Sequence, residues 1–242
     1  YLCIVIDHQC SRVKKPIIDV LIPAYNEERS IGKVIDDIPM AIVRHVIVCD
    51  NNSSDATGNV ARQHGAIVVH APRKGYGNAC LTGMDYLKEL KQSPDILVFI
   101  DGDFSDYPEQ LPMIVKPIID RDVDLVIGSR ALGHQLPGAM EPHQRFGNWL
   151  ATHLIRIFYG YQFTDLGPFR AIKWEKLIEL NMQDRNYGWT VEMQVKAAKQ
   201  RLKTTEVAVD YRRRIGVSKV SGTLKGSVLA GQKIIWTIFK YL

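Results

Sequence analysis

Ile96-Leu97-Val98-Phe99-Ile100-Asp101-Gly102-Asp103 is the stretch that decides how this 242-residue chain reads. Five consecutive apolar residues, followed by two acids around one glycine, fit a strand buried on both faces. The same pattern recurs outward. Ile17–Pro23, Arg44–Asp50, Ala66–His70 and Asp124–Gly128 read as further strands, with Glu28–Ile38, Ser54–His64 and Gly77–Lys91 as amphipathic helices between them. Such alternation predicts an α/β fold with a mostly parallel sheet and helices on both faces.

Beyond Arg130 the texture changes to longer helices over 142–159 and Tyr187–Arg201, a strand over Thr204–Tyr211 and a basic, aromatic-rich helix over 222–242. In 142–159, Phe146, Trp149, Leu150, Leu154, Ile157 and Phe158 fall on one side, and Arg145, Asn148, Thr152 and Arg156 on another. No linker composition and no repeat interrupts 16–242, which therefore reads as a single domain. Residues 1–15 receive no functional assignment, and an opening Tyr suggests that the native beginning is missing. No run of 18 apolar residues predicts a spanning helix.

The net charge of +5 is uneven: residues 201–242 carry +7 and the first 200 carry −2. That asymmetry implies an anionic partner near the C-terminal end. Cys3, Cys10, Cys49 and Cys80 show neither CxxC nor paired metal spacing, which fits reduced thiols and a cytoplasmic setting. The seven histidines are scattered, and no GxSxG elbow supports a serine triad.

In an open parallel sheet, ligands gather beyond the carboxyl ends of the strands. The first, second, fourth and fifth strands here end in Pro23-Ala24-Tyr25-Asn26-Glu27, Asp50-Asn51-Asn52-Ser53-Ser54-Asp55, Asp101-Gly102-Asp103 and Gly128-Ser129-Arg130. Two carboxylates separated by one glycine can reach a single hard cation and leave its other positions to water and a diphosphate. Neutralising a departing diphosphate is the main electrostatic demand in transfer from a nucleotide. Taken alone, the same DxD could be a turn whose acids cap the helix starting at Pro108. Arg73-Lys74-Gly75-Tyr76-Gly77-Asn78-Ala79 suits close backbone approach to a phosphate or sugar, although it lacks the GK[ST] ending of a P-loop. Arg212-Arg213-Arg214-Ile215-Gly216-Val217-Ser218-Lys219 is a cationic loop suited to closing over a diphosphate, with Gly216 as pivot.

Together these pieces resemble the inverting family 2 glycosyltransferases with the GT-A, Rossmann-like nucleotide-diphospho-sugar transferase fold. Within that family they are most similar to the branch that charges dolichyl or other polyprenyl phosphates. The likeness spans about 17–220 and includes Asp165 with Gly167-Pro168-Phe169-Arg170 and the RxxGxSK run from Arg213 to Lys219. It implies a nucleotide-sugar half over about 16–130, an acceptor half over about 131–221 and the basic helix 222–242. By resemblance, Pro23, Tyr25, Glu27 and Asp50 hold base and ribose, and Asp101 and Asp103 hold Mg or Mn at the diphosphate, with Asp103 the foremost catalytic residue. Lys74, Arg213 and Lys219 meet the diphosphate, while Arg130, Arg145 and Arg170 receive an anionic acceptor. The sequence departs from that branch at Ser105, where Gln is frequent, and at Asn51, where a second Asp is frequent.

A hydroxyl acceptor needs a general base, and the resemblance implies Glu192, since family 2 enzymes often place an acid at the head of this helix. A phosphate monoester, with its second pKa at about 6, already offers an oxyanion and needs arginines instead. Arg145 and Arg156, on a helix with an aromatic side, favour a lipid phosphate, with peripheral attachment at the inner membrane face by that helix or the closing one. The partners expected are thus a nucleoside-diphosphate sugar and a polyprenyl phosphate, and no nucleic acid. Two other classes compete: a haloacid-dehalogenase-like phosphatase, whose DxD lies on its opening strand whereas Asp101 follows three βα units, and a non-catalytic binder using the basic tail.

Overall fold

The computed structural model describes residues 15–216 and 224–242. Seven strands form one sheet: β1 (Ile18–Ala24), β2 (His45–Asp50), β3 (Ile67–His70), β4 (Ile96–Phe99), β5 (Leu125–Ser129), β6 (Arg170–Lys173) and β7 (Thr204–Ala208). Their order is β3-β2-β1-β4-β6-β5-β7, and every pairing is parallel except those of β6, which runs antiparallel between β4 and β5. The expected mostly parallel sheet is therefore the one formed, with one reversed strand.

Among the described residues the α-helices are α1 (Ile31–Asp36), α2 (Thr57–Gln63), α3 (Tyr76–Glu89), α4 (Leu111–Arg121), α5 (Pro142–Tyr159), α6 (Trp174–Leu180), α7 (Trp189–Lys199) and α8 (Leu224–Lys240). They cover both faces because the strands are apolar on both. Ile18, Val20 and Ile22 of β1 point into one cluster with Ile31, Val34, Ile114 and Val115, whereas Leu21 enters another with Met84, Leu87, Trp189 and Ile238. This period-2 division is what a doubly covered strand requires. The lone charge in β1, Asp19, is fully buried and meets the Arg44 guanidinium.

Local signals explain the element ends. α5 starts with Pro142 at its first turn behind a Glu141/Gln144 capping box and ends at Gly160 in the left-handed region. Its inner side is Ala151, Thr152 and Ile155, while Phe146, Trp149, Ile157 and Phe158 face outward. α1 begins later than the sequence pattern predicts, because residues 28–30 form a turn.

Register sets the working edge of the sheet. Ala24 pairs with Asp50, Asp50 with His70, and Leu21 with Phe99, so the acidic tips of β1, β2 and β4 reach the same level.

Candidate active site

Two pockets open at this edge. The first, of about 320 Å³, is lined by Pro23, Tyr25, Glu27, Lys74, Asp101 and Asp103, all named from sequence, together with Asn51, Tyr76, Asn186, Tyr187 and Arg214. At one end, Lys74 Nζ lies 4.8 Å from the Tyr25 ring centroid and donates to Tyr25 Oη at 3.0 Å. Asn51 lines the same end with its side chain fully engaged. Its Nδ2 donates to Ala71 O and Arg73 O, and its Oδ1 accepts from Gly75 N at 2.7 Å. It thereby shapes the loop that carries Lys74. Gly75 sits at φ +132°, a backbone conformation open to glycine, and a side chain at Gly75 or Gly77 would collide with the carbonyls of Arg185 and Asp184.

At the other end stand the two carboxylates. Tyr76 Oη donates to Asp101 Oδ1 at 3.0 Å, and burial raises the Asp101 pKa against the opposing pull of Arg214. Asp103 is 3% exposed. Its Oδ1 accepts from Ser105 N at 2.9 Å, and its Oδ2 accepts no hydrogen bond and faces the Arg214 guanidinium as an ion pair. Two carboxylates on one pocket wall, with Asp103 Oδ2 held only by the ion pair to Arg214, offer the oxygen donors a hard divalent cation takes. Among the described residues no cluster of three or more His, Cys, Asp or Glu is placed to hold a metal, so such an ion would take its remaining ligands from water and ligand oxygens. Phe104, between these acids and Ser105, is held at φ +64°. Arg212 clamps it there, stacking on the Phe104 and Tyr107 rings and donating to Phe104 O and Asp106 O.

Asp106 is a residue the motif reading passed over. It is 1% exposed with no hydrogen-bond partner on either oxygen, and burial, then the Asp101 charge, raises its pKa to about 7 despite Arg130.

The second pocket, of about 470 Å³, lies along α5 and is lined by Arg145, Arg156, His153, Asn148, Trp149 and Asp165 among others. Arg145 belongs to it, donating at 3.2 Å to Gln135 Oε1.

Several residues named from sequence sit elsewhere. Glu192 is fully buried. Its carboxylate accepts from Gln183 N, Asp184 N and Tyr241 Oη and pairs with Lys196 Nζ at 2.8 Å, so it reaches neither pocket and the general-base assignment is corrected. Arg170 is fully buried and donates to the carbonyls of Leu166, Gly167 and Thr190, so it braces the loop before β6 and does not receive an acceptor. Burial lowers its pKa to about 10. Arg130 grips Asp165 with two bonds of 2.7 Å. Burial opposes its charge, but Asp165 outweighs that and raises its pKa. Arg213 turns to Pro137 O, and its neighbour Arg214 faces the first pocket. Asp50 lies beside the pocket lining and accepts from Ser53 N at 3.0 Å. Lys219 is outside the described residues. Arg214 was visible only as one of three consecutive arginines, since a loop has no period that tells which one points inward.

Residues 19–180 match the family profile described as Glycosyl transferase family 2. The chain belongs to this family. An uncharacterized glycosyltransferase of Mycobacterium tuberculosis is 36% identical over 215 residues, covering 88% of this chain and 94% of that one. An undecaprenyl-phosphate mannosyltransferase of Micrococcus luteus is 31% identical over 228 residues, covering 86% and 89%. Among solved structures, glucosyl-3-phosphoglycerate synthase of M. tuberculosis in complex with Mn2+, UDP-glucose and phosphoglyceric acid aligns with TM-score 0.73 at 24% identity, covering 93% of this chain and 79% of that one. The glycosyltransferase thus has the GT-A type of α/β fold and is a hexosyltransferase by family.

Proposed function

We propose that this glycosyltransferase binds a nucleoside-diphosphate sugar in the first pocket and transfers the sugar, with inversion, to a phosphate acceptor entering from the second. A polyprenyl phosphate is the acceptor we favour. In this reading 16–130 is the donor half, 131–221 the acceptor half and 222–242 an attached basic helix of one catalytic domain. Pro23, Tyr25 and Glu27 flank the nucleoside, and Lys74 and Arg214 meet the diphosphate. Asp101 and Asp103 hold Mg or Mn, as the Mn2+ and UDP-glucose of the M. tuberculosis synthase complex support. The bound cation supplies charge neutralisation to the departing diphosphate. The chain's own residues do the rest. Tyr76 fixes the Asp101 carboxylate, Ser105 fixes that of Asp103, and Arg212 keeps the strand tip in its left-handed turn. The acceptor oxygen attacks the anomeric carbon from the face opposite the diphosphate, which inverts its configuration.

One observation carries the choice of acceptor: the carboxylates at the two pockets are already engaged. Asp165 is held by Arg130, Glu27 Oε2 accepts from Ser30 Oγ at 3.0 Å at the nucleoside end, Asp101 and Asp103 form the cation site, and Glu192 is part of the scaffold. Among the described residues, none of the carboxylates that line the two pockets is left over to serve an acceptor hydroxyl as base, whereas a phosphate arrives ionised. Arg145 and Arg156 then provide the countercharge. The outward Phe146, Trp149 and Ile157 of α5 and Trp236 and Phe239 of α8 give a membrane-facing apolar surface, with the Phe158 and Phe239 rings 5.1 Å apart joining the two helices. Among the described residues no helix is long and apolar enough to cross a membrane, so we propose peripheral attachment. The Micrococcus relative's acceptor is of the same class.

The test offers GDP-mannose, UDP-glucose and other donors with Mn2+ to undecaprenyl phosphate, 3-phosphoglycerate or a soluble saccharide. A lipid-linked product with inverted anomeric configuration is expected. Preference for the saccharide defeats the phosphate acceptor, and preference for 3-phosphoglycerate defeats the lipid.

A further inference from the structure

We infer that α8 is a clasp that sets the shape of the donor pocket, with Lys233 and Tyr241 as positioning residues acting through the loop 182–188. The inference rests on the donor reading above.

Loop 182–188 contributes Asn186 and Tyr187 to the wall of the first pocket, yet it has no regular structure of its own to hold it. Two buried carboxylates do that. Glu192 accepts from Gln183 N and Asp184 N, at 3.0 and 2.6 Å. Asp184 Oδ1 accepts from Asn186 N and Gly188 N, at 2.8 and 3.0 Å. Asp184 turns its other oxygen toward α8, and Glu192 Oε1, which also accepts from Gln183 N and pairs with Lys196, faces the residue just after that helix. Tyr241 Oη donates to Glu192 Oε1 at 2.6 Å, and Lys233 Nζ pairs with Asp184 Oδ2 at 2.9 Å. Each of the two acids therefore takes one partner from α8 or the residue that follows it, and removing that partner leaves a buried carboxylate one contact short.

α8 itself is anchored independently of these two contacts. Ile238 is fully buried, Tyr159 Oη donates to Ile238 O at 2.6 Å, and Lys199 Nζ to Tyr241 O at 2.7 Å. Lys196 underlies the arrangement, pairing with Glu192 and lying 4.9 Å from the Tyr241 ring centroid. The clasp thus has a fixed base and two polar fingers.

On its other side the loop bears on the start of α3. Asn78 N donates to Arg185 O at 3.0 Å, and the carbonyls of Asp184 and Arg185 press against Gly77 and Gly75, leaving no room for a side chain at either. Between those glycines stands Tyr76, whose hydroxyl holds Asp101. A displacement of the loop therefore moves both a wall of the pocket and the residue that orients one of its two acids. Lys233 and Tyr241 line neither pocket, so their effect on the donor is transmitted wholly through this path.

The experiment titrates the full chain with UDP and with GDP, each with Mn2+, by calorimetry, well below the melting temperature of every variant. Tyr241→Phe removes one hydroxyl and keeps the ring, so it preserves packing, while Lys233→Met removes the charge. Both are expected to weaken nucleotide binding about fivefold or more, in the range typical of coupling between sites, and Lys233→Arg to restore it. In turnover, KM for the donor sugar rises while KM for the acceptor stays. Variants that melt lower but bind the nucleotide as tightly as the parent overturn the clasp, because the contacts would then be structural only. A parent chain that binds neither nucleotide overturns the donor reading first.

Discussion

Asp106→Asn should flatten a pH dependence that the folded glycosyltransferase owes to a single carboxyl. Asp106 is 1% exposed, accepts no hydrogen bond, and has its pKa raised from 3.8 to about 7 by burial and by the charge of Asp101. Between those two values the folded chain keeps a proton that the unfolded chain has lost. The stability contributed by this group is therefore complete below pH 3.8 and lost as pH rises through about 7. The whole shift corresponds to about 4 kcal/mol, of which about 3 kcal/mol falls between pH 5 and pH 8. For a chain of this size that is roughly 8 °C in melting temperature. The assay is thermal unfolding of parent and variant from pH 5 to pH 8 in a chelating buffer, so that a cation on Asp101 and Asp103 does not alter the neighbouring charge. The difference in melting temperature should widen steadily in favour of the variant as pH rises, and level off near pH 8. A difference that stays flat across this range would refute the reasoning, since it would mean that Asp106 titrates as an ordinary exposed acid.

Three further outcomes follow from the site. Arg170→Met strips the carbonyls of Leu166, Gly167 and Thr190 of their donor and should lower stability by roughly 3 kcal/mol or more, read by denaturant unfolding; a neutral result would return Arg170 to a binding role. Arg214→Met removes the guanidinium that lines the first pocket beside Asp103 and should weaken UDP or GDP binding with Mn2+ by about tenfold or more, measured well below the melting temperature of the variant, whereas Arg213→Met, whose side chain faces Pro137 O, should change it little. The double variant Arg145→Gln with Arg156→Gln should raise KM for a phosphate acceptor without altering nucleotide affinity, and equal losses in both would show that the second pocket is not separate from the first.

The sheet was legible wherever burial on two faces forces an unbroken apolar run. ILVFI, HVIVC and DLVIG leave no other place for themselves than the centre of a covered sheet, and their pairing follows from the helices between them. β6 and α6 were not legible. Arg170-Ala171-Ile172-Lys173 has a cation at each end and is only four residues long, and its neighbour α6 is seven. Nothing in such a segment announces that it will run backwards between two parallel strands. What makes it a strand is tertiary: Ile172 pairs between Leu97 and Leu125 and Ala171 between Val98 and Val126, and the Arg170 side chain reaches the carbonyl of Thr190 on another element as well as those of Leu166 and Gly167.

The site divides along the same physical line. Residues at strand tips were readable because the sheet register fixes where they stand, and Pro23, Tyr25, Glu27, Asp101 and Asp103 meet on one pocket. Charged residues inside helices and loops were not, because type alone does not reveal whether a carboxylate or guanidinium faces a ligand or the backbone. Glu192 opens a helix beside a pocket wall and has the chemistry of a base, yet backbone amides of the preceding loop, Lys196 and Tyr241 take its oxygens. That loss is informative about the reaction. An enzyme that had to deprotonate a sugar hydroxyl would need one acid left uncommitted on the acceptor side, and the acid best placed in sequence is bound into the scaffold. An acceptor that arrives already charged removes the need, and it shifts the demand to cations. Under the acceptor proposed above, Arg145 and Arg156 on α5 would meet that demand, beside the outward-facing Phe146, Trp149 and Ile157.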